Sequence, residues 1–166
     1  MSTDRVSVLI FTGRHTVAGF VEHSGTRILD VLNDASTEFL NILTGSICRG
    51  LEGQPIGVFT LATIPKSAID CVVLTEEGHE APLRRKFALV EKKTQGAFVL
   101  LPEYEIHGTA MVSRSFDPVL FLGGSASTFF PLVEASISSI ESAGKSLAAK
   151  VAFVNKHHVS LLQAER

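Results

Sequence analysis

Apolar residues fall in short runs along this chain, and the spacing within each run sets its element. Val6 to Phe11 and Thr16 to Val21 are β-prone and are separated by Thr12-Gly13-Arg14-His15, which predicts a hairpin. Between Gly25 and Ser36 the period changes: Ile28, Leu29, Val31 and Leu32 recur at spacings of three and four. That predicts a short amphipathic helix, capped near Thr26, with Asp30, Asn33 and Asp34 on its wet face. Strand character returns over Glu38 to Ile47, Ile56 to Ile64 and Ala68 to Leu74, with Pro65-Lys66-Ser67 as a tight break before the last of these. Proline has no N–H to give a ladder, so Pro65 marks where pairing stops. The order for this half is β, β, α, β, β, β.

The second half repeats the first. Leu61 to Val73, LATIPKSAIDCVV, reappears as Val151 to Gln163, VAFVNKHHVSLLQ, and residues 39–72 align without a gap on 129–162 at an offset of 90. Phe39, Ser46, Ile47, Ala62 and Lys66 meet Phe129, Ser136, Ile137, Ala152 and Lys156, and apolar character is kept in columns such as Ile42/Leu132 and Val72/Leu162. Upstream the offset is 89, pairing Gly19 with Gly108. Ala97 to Leu101 and Glu105 to Val112 form the second hairpin, and Phe129 to Ile140, Leu147 to Val154 and His158 to Leu162 the later strands. Pro118 and Gly123-Gly124 predict a shorter or irregular second helix. Thr75 to Arg85 is polar, with Gly78 and Pro82, and reads as a linker; Phe87 to Val90 reads as an extra strand. The expected organisation is a first unit over 1–74, a linker over 75–86 and a second unit over 87–166.

With 166 residues shared between two units, each half has a modest core, so the halves are expected to pack on one another or on further copies. Only 19% of residues are charged, which points the same way, to an assembly interface and a homo-oligomer. A net charge of −2 excludes a general polyanion-binding surface and leaves room only for local basic loops. Cys48 and Cys71 lie in predicted strands without ligand spacing, as free thiols in a reducing compartment do. No secretory leader or apolar run of membrane-spanning length is visible, so the expected location is the cytoplasm, with no membrane partner.

Five short strands with a tight break before the last, in a unit of this size, resemble the Sm-like fold of Sm, LSm and bacterial Hfq proteins. LIFTGRHTVAGFV is similar to the strand, turn and glycine-ended strand of Hfq-type chains, and TIPKSAIDCVV and FVNKHHVSLL to their lysine-histidine turn before the last strand. The chain is accordingly identified as a tandem duplication, mainly β with short helices, of two Sm-like or more loosely SH3-like small β-barrels, similar to a bacterial family of tandem Sm-like proteins. This sequence departs from the pattern at Ser67, where the family has histidine, at Glu103, which replaces the turn glycine, and in placing its helix between strands. The resemblance implies a non-enzymatic assembly protein joined through strand edges, with Val58 to Ile64 and Val151 to Val154 carrying the contacts. The alternative it implies is a protein that binds single-stranded RNA through the lysine turns: Lys66 and Ser67 in the first copy, Lys156 and His157 in the second, with Phe153 offering a face for stacking.

Other chemistry finds little support in the residues. Arg84-Arg85-Lys86 is a basic run of the kind that keeps a linker wet. The six histidines, His15, His23, His79, His107, His157 and His158, have no ligand spacing, so no metal is expected. No GxSxG elbow, Walker A or GxGxxG fingerprint occurs, so neither an enzyme nor a cofactor is expected.

Overall fold

The computed structural model of the chain describes residues 4–51, 53–75, 93–113, 115–124, 127–141 and 144–165. Among the described residues it is mainly β with two short helices. The first half runs β1 (Arg5–Thr12), β2 (His15–Glu22), α1 (Ile28–Asn33), β3 (Phe39–Arg49), β4 (Pro55–Pro65), a 3-10 turn (Lys66–Ala68) and β5 (Cys71–Leu74). The second runs β6 (Lys93–Leu100), β7 (Tyr104–Val112), α2 (Pro118–Gly123), β8 (Phe129–Ser139), β9 (Ser146–Asn155), a second 3-10 turn (Lys156–His158) and β10 (Leu161–Ala164). Most of the linker, the strand expected over Phe87 to Val90 and the basic run Arg84-Arg85-Lys86 lie outside the described residues.

The ten strands form one open antiparallel sheet in the order β10-β6-β7-β8-β9-β5-β1-β2-β3-β4. Both halves use one plan, with the last strand beside the first and the fourth at the far side. Register repeats along with order. In the first half Ala18 pairs with Ser46 and Phe20 with Leu43, so Gly19 opposes a two-residue bulge; in the second, His107 pairs with Ser136 and Thr109 with Val133 around Gly108. Thr44 and Glu134, 90 positions apart, both take positive φ in that bulge. A bulge there bends the strand and raises its twist, which lets a five-stranded sheet wrap around a core. Gly19 also lets the strands close on each other, since a Cβ on it would stand 2.5 Å from Ile42 Cγ2.

Two expectations about local structure are corrected. α1 starts at Ile28 after Arg27 rather than near Thr26, with no side-chain cap at its start; Arg27 instead grips Asp30 with two bonds of 2.8 Å. α2 is as long as α1, because Pro118 sits at the first turn where no N–H is needed, Asp117 accepts from Val119 N and Leu120 N, and Gly124 closes the other end onto Leu120 O.

The halves meet where β5 pairs with β9: Cys71 with Val154, Val72 with Phe153 and Val73 with Ala152. Strand side chains alternate, so this pair serves two cores at once. Val72, Leu74, Val151 and Phe153 face the first core, with Val6, Ile10 and Ile42. Cys71, Val73, Ala152 and Val154 face the second, with Phe11, Val99 and Ile137. All four residues of β5 are buried. Burial from both sides raises the Cys71 thiol well above its usual range, as expected of an inert structural cysteine.

Candidate functional site

The two 3-10 turns end up beside each other across the β5·β9 joint. They line a crevice of about 710 Å³, with Asn33 and Thr37 on one wall, Ser67 between, and Thr128, His157 and His158 on the other. The sequence-predicted residues divide here. Ser67 and His157 are exposed and face this shared crevice.

Lys66 is buried, and its ammonium donates to Val31 O at 2.7 Å, Asp34 O at 3.0 Å and Thr37 Oγ1 at 2.6 Å. An ammonium has three protons, and all three are engaged at the C-terminal end of α1, where a cation also complements the helix dipole. Burial lowers its pKa, and the nearby Asp34 charge opposes that shift. Asp34 in turn is held below the usual carboxylate range by Ser36, whose hydroxyl and N–H both donate to it. Lys66 therefore fixes the α1–β3 connection that forms one wall of the crevice.

Phe153 is fully buried in the first core, so its ring packs against protein rather than facing the crevice. Lys156 lines a neighbouring apolar cleft of about 500 Å³, with Leu29, Met111, Phe121 and Phe129.

The residues that sequence reading missed form a polar lock under the crevice. Asp70 is buried and accepts from Gly13 N at 2.7 Å through Oδ2, while its Oδ1 meets His158 Nδ1 at 2.5 Å. His158 Nε2 meets the Ser67 carbonyl at 2.7 Å. Asn155 N donates to Asp70 O at 3.0 Å, and Asn155 Nδ2 to Ile69 O at 2.9 Å. Every one of these contacts except the Gly13 bond crosses between halves. A histidine beside a carboxylate suggests an oriented base; here both ring nitrogens face acceptors, Asp70 Oδ1 and the Ser67 carbonyl. The group clasps the two halves together. Nearby, the Asn33 side-chain amide donates to Phe129 O at 3.1 Å and accepts from Phe129 N at 2.8 Å.

No protein-family model, curated protein or solved structure matches the chain. Among the described residues no cluster of histidine, cysteine and carboxylate side chains is arranged to hold a metal, and no helix is long and apolar enough to cross a membrane.

The ends of the sheet are the other candidate surface. By the offset of 90, β4 is the counterpart of β9, and β10 of β5. At the joint Val151 and Phe129 are 1% exposed; their counterparts Leu61 and Phe39 on the open side are 59% and 56% exposed. Cys71 is 1% exposed, and its counterpart Leu161 on β10 is 45% exposed. Val58, at 82%, and Ile56 extend the apolar strip along β4. The expectation that Val151 to Val154 would meet another chain is corrected, because Ala152 to Val154 are already paired with β5 and Val151 is buried in the first core.

Proposed function

We propose that this chain is a non-enzymatic assembly protein, a tandem of two Sm-like units derived by duplication, whose copies join β4 of one chain to β10 of the next. One observation carries the reading: the strands that mate inside the chain, β9 and β5, have as counterparts the two strands left at the free ends of the sheet. Repeating the internal register would set Leu161 against Ile64, Leu162 against Thr63 and Gln163 against Ala62. An edge strand with unpaired backbone groups and apolar side chains is a ready template for such addition. The expected result is a particle mass, by sedimentation or native mass spectrometry, that rises with concentration through the micromolar range. Leu161→Lys, at a partly exposed position, lowers that association while leaving the thermal transition within about 2 °C of wild type, because surface changes cost little. A single-chain mass throughout the range overturns the reading.

A second reading has its own support: Ser67 and His157, from different halves, line one crevice of about 710 Å³. It is a single-stranded RNA binder with Lys156, in the neighbouring cleft, supplying charge. Titration with short uridine-rich and adenosine-rich RNAs at two salt concentrations tests it. The expectation is affinity that falls with salt and drops further with Lys156→Ala. Absence of binding at low salt removes it.

A further inference from the structure

We infer that the chain encodes two unlike joints: an internal one that is locked, and an edge joint between copies from which every element of the lock is missing, so that assembly of copies is reversible while the tandem stays closed. The inference rests on the self-association reading above and adds what distinguishes its two kinds of contact.

The backbone frame that would hold a lock is the same in both halves. Asp70 N donates to Phe11 O and Ser160 N to Leu100 O, each at 2.8 Å; Lys66 N donates to Glu38 O and Lys156 N to Thr128 O, each at 2.9 Å; Ile69 N and Val159 N return to the carbonyls of Lys66 and Lys156. Equivalent positions are therefore identified by geometry as well as by alignment. At the internal joint those positions hold Asn155, His158, Asp70 and Gly13, which bond as a set. At the edge joint the same positions hold Pro65, Ala68, Ser160 and Pro102.

Each replacement deletes a particular bond. Pro65 has neither the N–H nor the side-chain amide with which Asn155 reaches the other half. Ala68 cannot bridge as His158 does. Ser160 has no carboxylate to receive an imidazole, and Pro102 has no N–H to orient a group there as Gly13 orients Asp70. The apolar columns survive: Ile64 keeps the place of Val154, and Leu161 that of Cys71. A joint between copies would thus have the ladder and apolar contact but none of the charge-assisted bonds. Bonds of that class are the strong ones, and a desolvated polar set also fixes which edge accepts which.

The test transplants the lock. In the full chain, Pro65→Asn, Ala68→His and Ser160→Asp are combined, and association is followed by sedimentation across concentration alongside wild type. The transplant is expected to move the association midpoint to about tenfold lower concentration or beyond, the effect of one charge-assisted bond. The reverse variants, His158→Ala and Asp70→Asn, are expected to lower the thermal transition, with the association midpoint within about twofold of wild type. If wild type associates and the transplant leaves its midpoint in place, the two-joint inference fails while self-association stands. An association midpoint that tracks His158→Ala, with the thermal transition unmoved, puts the lock at the wrong joint and also overturns it. Wild-type and transplanted chains that both stay single at every concentration overturn the self-association reading and this inference with it. A wild type that stays single beside a transplant that associates overturns the self-association reading and, with it, the edge joint of the native chain.

Discussion

At the scale of single residues, the informative side chains are those whose neighbours restrict them to one role. Tyr104 is the only tyrosine in the chain and there is no tryptophan, so its phenol can be followed without interference. Its ring is buried against Phe11 of the other half, edge to face at 4.9 Å. Burial first, then the negative charge of Asp70, Glu103 and Glu141, raises its pKa to about 12 from the ordinary 10.0. The folded state therefore holds this proton more tightly than the unfolded chain. Its contribution to stability is complete below pH 10 and is lost as pH rises towards 12. Phenolate absorbance is expected to appear near pH 12 in native protein and near 10 in denaturant; a native midpoint at 10 means that the ring is not buried at the joint. Such roles were only partly legible beforehand. Lys66 and Lys156 share an alignment column, yet the alignment says nothing of Val31 O, Asp34 O and Thr37 Oγ1, which meet only one of them. The lock was hidden for the same reason, since Asp70 and His158 stand 88 positions apart and neither belongs to a spaced motif.

At the scale of elements, most strands and the first helix could be placed from periodicity, and the second helix from the repeat, because a period of two or of three to four residues follows directly from which side faces a core. Periodicity could not show how tightly each strand coils. Gly45 and Ala135 are equivalent positions inside the bulges of β3 and β8, yet they are not interchangeable. A Cβ at Gly45 would lie 1.9 Å from the backbone oxygen of Ala18, and 2.8 Å from Phe59 Cζ. A backbone oxygen cannot swing aside as a side-chain end can, so the strands must separate. Gly45→Ala is expected to destabilise the protein by about 3 kcal/mol, at the upper end for overpacking, although the other half carries alanine at this place. Denaturant titration measures it. A loss below about 1 kcal/mol means that β2 and β3 are further apart than described here.

At the scale of the whole molecule, what matters is that two repeated units do not amount to two independent domains. A linker and a sequence repeat suggest separable halves, but β5 and β9 place alternate side chains in opposite cores, so neither core is complete without a strand from the other half. Removing either strand would expose apolar faces on both sides of the sheet, a loss far larger than any contact a linker could restore. Unfolding is therefore expected to be a single transition reported identically by far-ultraviolet circular dichroism and by Tyr104 fluorescence. Val72→Ala removes methyl groups from the first core and Val73→Ala from the second, two neighbouring residues with opposite orientations. Each should lower that one transition by roughly 1–3 kcal/mol, on the scale of core truncations. Two resolved transitions, with Val72→Ala shifting one and Val73→Ala the other, would show that the shared wall does not couple the halves, and the closed tandem on which the assembly reading is built would go with it.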